Sequence, residues 1–159
     1  MEAYKKRIKE TIDRFYVECV DEFKEAELRI ANDSKFRTMF RKKDYKGNIE
    51  LLRSCKKNTS SLRFPMGDIP KDDDLTKDLV RQAQVCFRQF SRLCDSYIQM
   101  QTALESKSKG KDLPYREYKE VYYRTQEENQ AMNRELKELD LLYTDFLDDE
   151  DYDVYEFLD

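Results

Sequence analysis

At 159 residues the chain has the length of one domain. With 40% charged against 39% hydrophobic residues, it is too polar for a thick, layered core. Three glycines and three prolines are too few for a turn-rich all-β fold, and no apolar run is long enough for a membrane span.

The start of the chain, MEAYKKRIKE, carries no apolar secretory core. Its four cysteines stand singly and histidine is absent, so the usual Cys/His spacing of a zinc site does not occur. Reduced thiols in the cytoplasm or nucleus are therefore expected, with Cys19 and Cys86 acting as small hydrophobes on apolar stripes.

In chain order, the first helix is expected at about 2–31. Tyr4, Ile8, Ile12, Phe15, Cys19, Phe23, Ala26 and Ile30 recur every three or four residues, which makes one apolar face. Residues 35–63 read as two short helices. Phe36, Met39 and Phe40 would face inward from one, and Ile49, Leu52 and Cys55 from the other. Gly47-Asn48 would separate them, with Asn48 as cap. Pro65, Gly67 and Pro70 then mark a loop over 57–71.

A second long helix is expected at about 73–105, opening at Asp72-Asp73-Asp74, where carboxylates cap free N–H groups. Leu79, Ala83, Cys86, Phe90, Leu93, Tyr97, Met100 and Leu104 follow alternating steps of four and three, a heptad stripe. Gly110 marks a turn over 106–112, and Pro114 suits the first position of a third helix at about 114–147. There Tyr118, Tyr122, Thr125, Asn129, Met132, Leu136, Leu139, Tyr143 and Phe146 repeat the pattern. Two such stripes joined by a short connector predict an all-α fold, an elongated bundle built on a long antiparallel coiled-coil hairpin.

The seam is expected to run through Leu79, Phe90, Tyr97, Tyr122, Asn129, Leu136 and Tyr143. Asn129 either sets register or reaches water at a loose level. Val80, Phe87, Cys94 and Ile98 form a second stripe on the same helix, calling for a second neighbour. The N-terminal helix is the natural candidate, with 35–63 packed on or beside one end. Another chain is the alternative.

Charge is unevenly spread. Residues 35–63 hold Lys35, Arg37, Arg41, Lys42, Lys43, Lys46, Arg53, Lys56, Lys57 and Arg63 against two acids, a net of +8. Residues 148–159 hold seven acids and no base. The domain reading is thus 1–147 as one helical unit, with a basic stretch at 35–71, followed by an acidic-aromatic tail at 148–159. Tyr152, Val154, Tyr155, Phe157 and Leu158 interrupt the tail's acids, a composition of segments that fold onto a partner. Its charge also permits fold-back onto the basic stretch of the same chain.

Without histidine, without a phosphate-binding glycine loop and without a nucleophile motif, the chain is not expected to be an enzyme or to hold a cofactor. The expected function is an adaptor subunit of a larger assembly. It would bind other, helical proteins through helical faces and the tail, as a homo- or hetero-oligomer. The alternative is a nucleic-acid-associated regulator using 35–63, against which a pI of about 5.2 argues.

Overall fold

The computed structural model describes residues 1–33 and 43–156, with side chains described through Glu150. The described residues form helices and connecting loops, with no strand. In order they are α1 (Ala3–Arg14), a π-helical turn (Phe15–Val20), α2 (Asp21–Asp33), α3 (Tyr45–Ser60), a 3-10 turn (Met66–Asp68), α4 (Asp74–Ser108) and α5 (Tyr115–Glu156).

The backbone stays right-handed helical across both joints of the π turn, so α1 to α2 is one rod. That rod, α3, α4 and α5 make four helices packed against one another. The wide turn has a sequence cause. Phe15, Cys19 and Phe23 are spaced by two consecutive steps of four, more than the 3.6 residues of an α-turn. An enlarged turn restores the phase, and Cys19 and Val20 are then both buried. The expected stripe of this rod is the buried one, with Ile8, Ile12, Phe15, Cys19 and Ala26 at 0% exposure.

α4 is the centre of the molecule, burying residues on two faces. One meets α5: the Gln82 amide donates to the Glu135 carbonyl (3.0 Å) and carboxylate (2.8 Å). Gln89 does the same seven residues on, reaching the Glu128 carbonyl at 3.1 Å. The Thr125 hydroxyl points at the Ser96 carbonyl (3.5 Å). Positions thus rise on α4 as they fall on α5.

The other face of α4 is covered within the chain. Phe15 packs against Phe87 (ring centroids 4.7 Å) and Phe90 (5.6 Å), and Phe23 against Phe90 and Tyr97. α3 lies on the same face: Asn48 donates to Gln101 (3.1 Å) and Lys56 to Asp95 (2.8 Å). Of the stretch 35–63, expected on or beside one end of the bundle, residues 35–42 lie outside the described residues. α3 lies along α4, because Ile49, Leu52, Cys55 and Thr59 make a buried face of their own.

The cap of α3 also differs from expectation. Asp44 caps, accepting from the Gly47 N–H at 2.9 Å, while Asn48 is buried at 1% exposure inside the helix. The inward set Phe36, Met39 and Phe40 lies outside the described residues. Asp73 caps α4 as expected, through the Thr76 N–H and hydroxyl. α4 ends at Ser108, and Gly110, two residues on, has a φ of 88° in the left-handed region. The Lys111 N–H reaches the Ser106 carbonyl and the Gly110 N–H the Lys107 carbonyl, a paired closure that a residue with a Cβ would strain.

α5 begins one residue after Pro114, whose carbonyl accepts from the Tyr118 N–H (3.1 Å). It passes the expected end at 147 and continues to Glu156, so much of the acidic segment has helical backbone. Near its end Glu150 accepts from Lys5 at 2.6 Å.

Candidate interaction surfaces

Four tyrosine–carboxylate hydrogen bonds tie the N-terminal rod to its neighbours. Tyr4 donates to Asp73 (2.7 Å), Tyr97 to Glu27 (3.0 Å) and Tyr143 to Asp13 (2.6 Å), and Tyr16 also donates to Asp140. Burial pushes all four phenols above their ordinary range, and the adjacent carboxylates push the same way, so each remains a proton donor. Burial works against ionisation of Asp73, but hydrogen bonds from Tyr4 and Thr76 outweigh it and hold its carboxyl below the usual value. No sequence motif announces these pairs, since each joins residues distant along the chain.

The expected seam is resolved into an axis and a flank. Leu79, Phe90 and Tyr97 are buried on α4. On α5 the buried set is Thr125, Met132, Leu139 and Phe146, seven residues apart. Asn129, Leu136 and Tyr143 are only half-buried, on the side turned toward the N-terminal rod, where Tyr143 meets Asp13. At that depth Asn129 is at the seam's edge and not sealed inside it. Tyr122 is corrected outright: it is 43% exposed. The helices leave a recess at its level, which Tyr122 lines opposite Tyr97 and Met100 of α4, with the Tyr118 and Tyr123 rings beside it.

That recess, of about 480 Å³, lies where α2 ends, α3 begins and the α4–α5 connector approaches. Ile30, Tyr45, Met100, Leu104 and Tyr118 give it apolar walls, with Tyr97 and its partner Glu27 at one side and Lys43 and Asp33 at another. Burial raises the Tyr45 phenol, helped by Asp33 and Tyr118. Outside the recess the tyrosines continue as an open patch: Tyr115 is 77% exposed and Tyr123 54%, with the Lys119 ammonium over the Tyr123 ring.

The basic stretch is only partly brought together. Lys35, Arg37, Arg41 and Lys42 lie outside the described residues. Lys56 is engaged by Asp95. Arg63 donates to the Ser60 and Leu62 carbonyls, and Lys43 lines the recess. Lys46, Arg53 and Lys57 project from α3, exposed and without an ion pair among the described residues. Beside α3 the loop and α4 form a second depression, where Arg63 meets Arg88 and Arg92. These two arginines stand outside the basic stretch in sequence; their one-turn spacing on the polar face of α4 was the available signal.

Of the tail residues, Phe157 and Leu158 lie outside the described residues, and Tyr152, Val154 and Tyr155 fall where only the helical backbone is described. All four cysteines are buried free thiols. Burial pushes Cys55 and Cys86 up to about 12 and raises Cys19 and Cys94 as well, which removes the thiolate needed for reactivity. Among the described residues no cluster of His, Cys, Asp or Glu is arranged for a metal ion, and no helix is long and apolar enough to cross a membrane. No family model, curated protein or solved structure matches the chain.

Proposed function

We propose that this protein is a non-enzymatic adaptor subunit of a larger intracellular assembly, holding other proteins through a tyrosine-lined end of its bundle. The observation that carries this is the recess at the α2–α3–α4–α5 junction together with its open patch of Tyr115, Tyr122 and Tyr123. Tyrosine offers a large apolar area, few rotatable bonds and one polar tip, and is enriched where proteins bind one another. Four free thiols support a reducing compartment, cytoplasm or nucleus. The scaffold is the α4–α5 pair, a long antiparallel coiled-coil hairpin over about 73–105 and 114–147. The glutamine–glutamate pairs seven residues apart and the seven-residue burial period on α5 support it. The tail residues Tyr152, Val154, Tyr155, Phe157 and Leu158 serve as a second contact.

A second reading, a nucleic-acid-associated regulator, is supported by the exposed Lys46, Arg53 and Lys57 on α3, which make no ion pair among the described residues. The test is capture from nuclease-treated lysate in 0.5 M salt, comparing the full chain with Tyr118→Ala/Tyr122→Ala. Contacts through tyrosine faces survive that salt, whereas phosphate contacts do not. Defined proteins retained by the full chain and lost by the double variant uphold the adaptor. Binding abolished by nuclease and indifferent to the tyrosines moves the function to α3.

A further inference from the structure

We propose that the groove between the α3–α4 loop and the middle of α4 is a docking site for an acidic segment, and that its occupant is residues 148–159 of a second copy of this chain. This deepens the adaptor reading by naming one partner, but it uses a different surface from the tyrosine recess.

The groove has a volume of about 560 Å³. Arg63, Arg88 and Arg92 surround a floor that includes Leu62 and Phe87, and no acidic residue lines it. Arg88 and Arg92 make no ion pair among the described residues. Arg63 is held by the Ser60 and Leu62 carbonyls at 2.6 and 2.8 Å, which orients its guanidinium without neutralising it. The acid one turn along α4, Asp95, is already engaged by Lys56 at 2.8 and 3.1 Å. The Phe87 ring is fixed from behind by Phe15 and Phe64. Three guanidinium groups around an aromatic floor, the one on Arg63 oriented by its two carbonyl contacts, match a peptide that alternates carboxylates with aromatic side chains.

The chain carries such a segment. Residues 148–159 hold seven acids, no base and five apolar residues. Within one molecule the segment does not reach this groove. The Gln82–Glu135 and Gln89–Glu128 contacts set the groove level with α5 residues near 128–135. α5 runs on from there to Glu156, past Glu150 at the foot of α1. Fifteen residues of helix from 135 to 150 cover about 22 Å. The three residues after Glu156 reach back about 11 Å at most, even fully extended. The segment of the same chain therefore does not reach this groove, and the complementary surfaces meet between copies.

The experiment uses the full chain and a fluorescently labelled peptide of residues 148–159. The expected result is self-association by sedimentation in 50 mM salt that is lost in 500 mM, with the peptide competing for the same site. Arg88→Glu/Arg92→Glu should weaken peptide binding at least tenfold with an unchanged circular dichroism spectrum. The neutral pair Arg88→Gln/Arg92→Gln gives an intermediate loss and serves if the reversal disturbs the helix. A chain that stays monomeric in 50 mM salt, with peptide binding equal in wild type and variants, overturns the proposal. Inorganic phosphate bound at the arginines while the peptide is ignored overturns it too. The tyrosine double variant leaves the peptide affinity unchanged, so failure here is separable from failure of the adaptor reading.

Discussion

Phe15 decides whether the second apolar face of α4 belongs to this chain. Its side chain is fully buried at the π turn, against Phe87 at 4.7 Å, Phe90 at 5.6 Å and its neighbour Tyr16 at 5.9 Å. Phe15→Ala removes a ring that three aromatic neighbours enclose and leaves a cavity they cannot close, because Phe87 is itself stacked on Phe64. Such truncations cost about 3–5 kcal/mol. For a chain of this size each kcal/mol lowers Tm by about 2–4 °C, so the expected fall is about 6–20 °C. Val17, two residues on but 62% exposed, is the matched control, and Val17→Ala should stay within about 0.5 kcal/mol. The assay is thermal unfolding by circular dichroism over a hundredfold range of protein concentration, in high salt to suppress contact through the acidic segment. A packed face within one chain gives a Tm independent of concentration. A loss below about 1 kcal/mol for Phe15→Ala, or a Tm rising with concentration, would refute the assignment and give that face to another chain.

Three further outcomes follow from the packing. Asn48→Ala leaves the buried Gln101 amide without its 3.1 Å partner and should cost about 1–3 kcal/mol in urea unfolding, whereas loss of a mere cap would leave Gln101 unaffected. On α5, Leu139→Asp puts a charge at a fully buried position and should abolish cooperative melting. Leu136→Asp, at a half-buried one, should lower Tm and leave a folded protein; equal damage from the two would contradict the axis of the seam. Alkali should destabilise the fold. Below the unfolded-chain values, about 8.5 for thiols and 10 for tyrosines, both states keep these protons and the buried contacts count in full. As pH rises through those values the unfolded chain releases protons that the folded one retains, until about 12 for Cys55 and Cys86 and higher still for Tyr16 and Tyr97, so stability is lost. A urea midpoint that does not move between about pH 8 and pH 11, with reductant present, would contradict their burial.

The chain's polarity, its spacing of apolar residues and its breakers carry information that is local, and the local features were legible. The stripe of the N-terminal rod, the cap at Asp73, the turn at Gly110 and the start of a helix beside Pro114 all depend on residues within a few positions of one another. The demand for a second neighbour on α4 was legible as well, because two apolar faces on one helix require two partners. The N-terminal rod, the expected neighbour, does cover that face; that α3 shares it along α4 was not legible, since burial depends on how four amphipathic surfaces close around one axis.

The same cause explains the residues read differently. Tyr122 fits the period of the seam as well as Thr125 does, but periodicity fixes an angle around a helix and not what stands opposite it. At that level the junction opens into the recess. Asn48 carries the local signature of a cap, yet Asp44 sits where the first free N–H groups point, and the burial of Asn48 depends on Gln101 more than fifty residues away. The four tyrosine–carboxylate bonds, the recess and the Arg63–Arg88–Arg92 groove share that character. Each joins side chains from different helices, so pattern along the chain supplied the faces, and only their packing decided which of them met and which stayed open.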